Sequence, residues 1–269
     1  MLFDIDNKKI FASTGGKAFD SKKKCIIFIH GAGMDHTVWS QQSRFFANKG
    51  YSVISIDLEG HGRTEGEALK DVKDIAKSIS KVIHHLEIKE AAVVGHSLGA
   101  LISIEIAKSN NKIITELVLL GVCMPMKVSD DLLTNAEKNN QDSFNFITMW
   151  GHSNSTHLGQ NIVPGIWLIG LSMKLLEASS SGVLFSDLTA VKNYKEDEKT
   201  LNKILCPTLI ICGSEDMMTP VKNINSLEKN INIFSKIIIP NCGHMIMLEE
   251  PDIVRSEIAS FLNGSKNKI

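Results

Sequence analysis

Two apolar rhythms alternate along this chain. Compact apolar runs over residues 25–30, 52–57, 91–95, 116–120, 208–212 and 236–239 read as strands, and the run over 206–212 as a buried one. Between them, apolar positions at helical spacing over 38–48, 72–86, 98–109, 221–229 and 252–262 read as helices. Two shorter segments, 2–6 and 9–13, form an opening hairpin at one sheet edge. Strands that alternate with helices predict an α/β fold with a doubly wound, mostly parallel β-sheet. The alternation stops between 122 and 199, where short helical patterns occur without a convincing strand. The chain therefore divides into a core of 1–121 and 200–269 and a helical cap of 122–199, inserted after the sixth strand. No internal repeat is present, and the polar end, 263–268, is expected to fray.

The places where strands give way to loops carry the candidate chemistry. Ala91 to Val94 lead into Gly95-His96-Ser97-Leu98-Gly99, after which Leu101, Ile102, Ile104 and Ile106 continue at helix-compatible spacing. A serine between two glycines at a strand-to-helix turn is the pattern of a nucleophile elbow, in which the hydroxyl projects outward from a strained backbone. Upstream, the strand ending at His30 opens into Gly31-Ala32-Gly33, a small-residue loop with backbone amides free to donate. Leu98, after the serine, and Ala32 are the expected oxyanion donors, with Gly33 as the alternative to Ala32. The strand over 52–57 leads into Leu58-Glu59-Gly60-His61-Gly62-Arg63-Thr64, where His61 reads as structural. Downstream of Ser97, Gly213-Ser214-Glu215-Asp216 follows one strand and Gly243-His244-Met245 another. Asp216 is the candidate acid, with Glu215 beside it, and His244 the candidate base. An imidazole that titrates near pH 6.5 can take the serine proton, and a carboxylate can fix its tautomer.

These segments together resemble the α/β-hydrolase superfamily, and in particular its small capped serine esterases, lactonases and cofactor-free haloperoxidase-like members. The residues that carry the resemblance are His30 to Gly33, Asp57 to Thr64, Gly95 to Gly99, Gly213 to Pro220, and Gly243-His244, so it reaches both ends of the chain. It implies the order Ser97, Asp216, His244 for the triad, and it favours Asp216 over Glu215 through the spacing before Pro220. Glu59 and Thr64 depart from the Pro or Arg and the Ser usual in the family, outside the inferred triad. Serine at 97 argues against the members that use an aspartate nucleophile, such as epoxide hydrolases and dehalogenases.

Composition narrows the partners. Lys and Arg number 29 and Asp and Glu 30, which leaves no basic field for nucleic acid. Lys22-Lys23-Lys24 reads as a solvated loop. No apolar run approaches the roughly 20 residues that span a bilayer, and residues 1–20 lack the apolar stretch of a signal peptide. Cys25, Cys206 and Cys212 lie in or beside apolar strands, which fits reduced thiols and a cytoplasmic protein. Cys242 reads as a small packing residue, and no Cys/His spacing suggests a metal. Arginine occurs only at Arg44, Arg63 and Arg255, which disfavours a strongly anionic substrate held by bidentate clamps.

In the cap, Phe144, Phe146, Met149, Trp150, Trp167, Leu168 and Leu171 crowd a stretch in which Lys174 is the only formally charged residue between 144 and 176. Most must pack the cap, but an apolar wall also suits a small-molecule pocket. Trp150, Trp167 and His152 are the cap's candidate pocket residues, with Gly33, His96 and Met245 from the core. His152 and His157 could instead be surface loop histidines among Ser and Asn. The expected activity is hydrolysis of a small, mainly uncharged, partly apolar ester or lactone, without cofactor or metal. The alternatives are carbon–carbon bond hydrolysis or perhydrolysis on the same triad, or a slow-turnover binding or signalling role.

Overall fold

Along β3 (Cys25–Ile29), Ile27 and Ile29 enter one apolar cluster while Ile26 and Phe28 enter another. Side chains alternate across a strand, so a run apolar at every position must be covered on both faces. The first cluster packs α2 (Val72–His85) and α3 (Leu98–Ser109) on one face of the sheet; the second packs α1 (Ser40–Asn48) and α12 (Pro251–Ser265) on the other. The computed structural model describes residues 1–195, 198–231 and 233–265.

Eight strands make the sheet: β1 (Leu2–Ile5), β2 (Lys8–Ser13), β3, β4 (Ser52–Ile56), β5 (Ala91–His96), β6 (Ile114–Leu120), β7 (Thr208–Gly213) and β8 (Ile233–Ile239). Their order is β1-β2-β4-β3-β5-β6-β7-β8, with the β1–β2 and β2–β4 pairs antiparallel and the others parallel. The fold is therefore the expected one. In the β3–β5 register Ile29 stands opposite Gly95, which brings the loop after His30 alongside Ser97.

Between β6 and β7 lie α4 (Asp130–Glu137), α5 (Gln141–Gly151), α6 (Asn154–His157), α7 (Leu168–Ala178), α8 (Val183–Asn193) and α9 (Glu198–Leu201). The side chains of Ser129 and Asn140 accept the free amides at the starts of α4 and α5. Leu132, Ala136, Phe144, Ile147, Leu176, Leu184 and Leu188 form an apolar cluster of their own among α4, α5, α7 and α8. Ala190 and Val191 of α8 reach the main core, and the expected boundary at 200 falls inside α9. Among the described residues no single helix is long and apolar enough to cross a membrane; α7 and α8 are so only together, and are bent by 98°. After the sheet's seventh strand come α10 (Asn225–Asn230) and, after β8, α11 (Ile246–Glu249).

Two expected helices are broken. Residues 36–39 form a 3₁₀ turn before α1, and 221–223 another before α10, because Asn223 and Ile224 donate to carbonyls only three residues back. The helix expected to end at 262 runs to Ser265, which takes in 263–265 of the polar end; 266–268 lie outside the described residues. All five cysteines are free and buried. Lys24 is not simply solvated: it ion-pairs with Glu116 at 2.6 Å and Glu90 at 3.0 Å.

Candidate active site

The carboxyl ends of β3, β5, β7 and β8 deliver the loops that contain Ala32, Ser97, Asp216 and His244. Ligand sites in open α/β sheets form at this edge, where the strand order reverses. Ser97 stands between β5 and α3 with φ +55° and ψ −119°, and its amide donates to the Leu120 carbonyl at 3.0 Å. The flanking glycines follow from contact. A β-carbon on Gly95 would lie 2.2 Å from the Gly99 carbonyl oxygen, and one on Gly99 would lie 2.3 Å from that of Ile29.

Asp216 and His244, 28 residues apart, meet at 2.8 Å through Oδ2 and Nδ1. The Asp216 carboxylate also accepts the Met218 amide (2.9 Å), the Thr219 amide (2.7 Å) and the Thr219 hydroxyl (2.6 Å). Burial favours the neutral acid, but the His244 ring and these donors outweigh it and hold the pKa at about 2. Nδ1 faces a carboxylate and so carries the proton, which leaves Nε2 with a lone pair. Thr219 was not among the sequence candidates, although an Asp followed three residues later by Thr is a recognisable local turn.

His96 is fully buried against this pair, with its ring 4.7 Å from that of His244 and its Nε2 donating to the His244 carbonyl at 2.9 Å. Burial first, and then the neighbouring His244, lower its pKa to about 3. Ala32 and Leu98 have amides that no hydrogen bond engages among the described residues, as expected for Leu98 in the first turn of α3. The Gly33 amide is not free: it donates to Asp187 of α8 at 2.7 Å.

Ser97, His244, His96, Thr219 and Ala32 face one cavity of about 780 Å³, which Leu132 of α4, Phe146 and Trp150 of α5 and Leu188 of α8 also line. Its formally charged lining residues are Lys127 and Lys222, both exposed. A second hollow, of about 900 Å³, is lined by Lys23, Lys24, Tyr51 and Arg255 and includes none of the candidate site residues.

Four expected pocket residues stand elsewhere. Gly33 is held under α7 and α8, close to Leu176 and Leu184. His152 is buried rather than in a surface loop; its Nδ1 faces the Thr148 carbonyl at 3.0 Å and its Nε2 the Ser172 hydroxyl at 3.1 Å. Met245 is buried in the core and donates its amide to Gly151. Trp167 precedes α7 and is 74% exposed.

Two carboxylates tie the loops after β7 and β8 to the helices between β6 and β7. Glu249, buried, accepts the Gly243 amide (3.2 Å), the Ser153 amide (3.0 Å) and the Thr156 hydroxyl (2.9 Å). Glu215 is more than a solvated charge, since it accepts the Asn154 amide at 2.9 Å. Asp35, His36 and Asp57 bring three potential cation ligands within 4.8 Å of one another, but the His36 amide and ring nitrogen both already face Asp57 Oδ1, at 2.7 and 2.8 Å.

The sequence and the sheet that carries these loops are matched by known proteins. The chain belongs to the alpha/beta hydrolase family, whose sequence profile matches residues 26–257, and it is an enzyme of the hydrolase class. It is similar to the AB hydrolase superfamily protein YisY of Bacillus subtilis (strain 168), 27% identical over 254 residues that cover 89% of this chain and 91% of the relative. Its fold is similar to that of a thermophilic esterase (TM-score 0.80, 24% identity, 98% of this chain and 97% of the other covered). It is also similar to that of the enol-lactonase from Burkholderia xenovorans LB400 (TM-score 0.82, 15% identity, 98% and 100% covered). At these identities the two structures speak for the fold.

Proposed function

We propose that this hydrolase cleaves a small, mainly uncharged, partly apolar carboxylic ester or lactone through an acyl-enzyme on Ser97. The observation that carries the reading is the buried Asp216–His244 pair at 2.8 Å, beside the cavity that Ser97 also faces. His244 Nε2 takes the Ser97 proton as the hydroxyl oxygen attacks the substrate carbonyl, and the charge that develops on that oxygen is met by the Ala32 and Leu98 amides. His244 then protonates the leaving oxygen. Water, activated by the same nitrogen, releases the acid and restores Ser97. Asp216 stabilises the imidazolium at each stage without taking its proton.

The cavity supports this reading of substrate size and polarity. Leu132, Phe146, Trp150 and Leu188 offer apolar contact, and no acidic side chain lines the space among the described residues. The thermophilic esterase and the enol-lactonase share the fold, and ester and lactone opening are two uses of one acyl-transfer site.

The test is kcat/KM over activated esters of increasing acyl length, with an aliphatic lactone alongside. Turnover that rises with the first methylenes, by about 10- to 200-fold for each well-fitted step at most, is expected. No turnover of any member would count against the reading.

A further inference from the structure

Among the described residues, one acid–imidazole contact besides Asp216–His244 is almost completely enclosed: His61 and Asp187, with side chains 2% and 1% exposed. His61 lies in the loop after β4, and Asp187 on α8. His61 Nε2 is 2.8 Å from Asp187 Oδ2, and its Nδ1 is 3.0 Å from the Glu59 carbonyl oxygen. Both ring nitrogens face acceptors, so each needs a proton and the ring is an imidazolium. Burial opposes that charge, but the Asp187 carboxylate outweighs it and raises the His61 pKa above the usual imidazole value.

Asp187 Oδ2 has a second donor, the Gly33 amide at 2.7 Å. Gly33 directly follows Ala32. Its φ is +66°, and a β-carbon there would stand 2.7 Å from Leu176 Cδ2 and 3.1 Å from Leu184 Cδ1, so a side chain at the loop tip would be strained and would press on α7 and α8. The other ionisable groups nearby are already committed. The His30 ring, 4.9 Å from His61, has its pKa lowered to about 4 by burial and then by the His61 charge. Asp57 accepts the amides of His36 and Arg63, and the Glu59 carboxylate is held by Lys8 and Ser78.

A buried ion pair is a costly way to seat a helix, because well-packed apolar residues of similar volume often do so at equal or lower free energy. This pair contributes something apolar residues cannot: an acceptor aimed at one backbone amide of the oxyanion loop. We propose that Asp187 is a positioning residue for the oxyanion hole. From the cap it fixes the Gly33 amide and so the orientation of the preceding Ala32 amide, with His61 as its buried counter-ion. This rests on the reading of Ser97 as nucleophile and Ala32 as oxyanion donor. It also makes the seating of α8 a condition for stabilising the transition state.

The full chain is compared as wild type, Asp187→Leu, Asp187→Asn, His61→Gln and Ser97→Ala. Each is measured for kcat and KM on a short p-nitrophenyl ester and for inhibition by an alkyl trifluoromethyl ketone, whose adduct with a serine bears an oxyanion. Fluorophosphonate titration normalises the rates of the serine-containing variants to competent sites. Asp187→Leu is expected to lower kcat by about 30- to 100-fold and to weaken the ketone comparably, with KM within about threefold. Asp187→Asn, which keeps an acceptor oxygen for Gly33, should recover kcat to within about fivefold, and His61→Gln should fall between the two. Folded Asp187→Leu with unchanged kcat and ketone affinity would overturn the proposal. If that variant does not fold, His61→Gln with wild-type kcat and ketone affinity would do the same. Either result beside a Ser97→Ala that is inactive leaves the Ser97 reading standing, whereas an active Ser97→Ala overturns both.

Discussion

Ser97 is held at φ +55°, in a region that costs on the order of 1–3 kcal/mol for a residue with a side chain. The bond from its amide to Leu120 and the start of α3 keep it there. At the same scale, Asp216 and Glu215 are adjacent in sequence and opposite in use. Asp216 is saturated by four donors around His244, while Glu215 turns to the Asn154 amide of the cap. Asp216→Asn is therefore expected to lower kcat by about 10⁴ through the wrong imidazole tautomer, and Glu215→Gln by less than about tenfold. Steady-state kinetics on one activated ester decides this, and reversed effects would make Glu215 the acid. Before the structure, only the spacing to Pro220 separated the two carboxylates. Neither residue type nor loop position says which one the fold will bury.

At the scale of elements, the strands and core helices were legible because their apolar patterns have a period, and a strand apolar at every position can only be internal. The stretch between β6 and β7 was legible as helical but not in its facing. Trp150 and Trp167 look equivalent in an apolar stretch, yet Trp150 on α5 lies tilted beside Phe146, with ring centroids 5.8 Å apart, and lines the cavity. Trp167 precedes α7 and lies over Gly170, largely in solvent. Ser153, which suggests a loop, is instead the N-cap of α6, and His152 beside it is buried. On the series of esters, Trp150→Leu should change relative kcat/KM by about 1–3 kcal/mol between acyl lengths. Trp167→Leu should leave the order and spacing of those values unchanged. A shift in Trp167→Leu alone would reverse this assignment of faces.

At the scale of the whole molecule, the contacts that join cap to core were beyond reach of the sequence. Asp187 and Gly33 are 154 residues apart, and Glu249 and Ser153 96 apart; no local pattern marks either bond. The same enclosure makes stability depend on pH. Folding lowers the pKa of His30 to about 4 and of His96 to about 3, from an ordinary value of 6.5. Between those limits the unfolded chain binds more protons, so the contribution of each is complete above pH 6.5 and is lost as pH falls through the folded value. His61 has the opposite sign: its raised pKa stabilises below 6.5, and that contribution is lost as pH rises through the raised value. The melting temperature of wild type should therefore fall from pH 6.5 toward 4, and fall less steeply in His30→Asn. Parallel curves for the two would contradict this account of the buried rings.

The central claim, that Ser97 is the nucleophile of a His244–Asp216-assisted acyl transfer, is tested most directly by fluorophosphonate labelling followed by peptide mass mapping. One adduct per chain, located on Ser97 and formed in proportion to the loss of ester hydrolysis, is the predicted result. Ser97→Ala should take no label and lose about 10⁴- to 10⁶-fold in kcat. An adduct on another residue that abolishes activity, or a Ser97→Ala variant that hydrolyses the ester at the wild-type rate, would contradict the account.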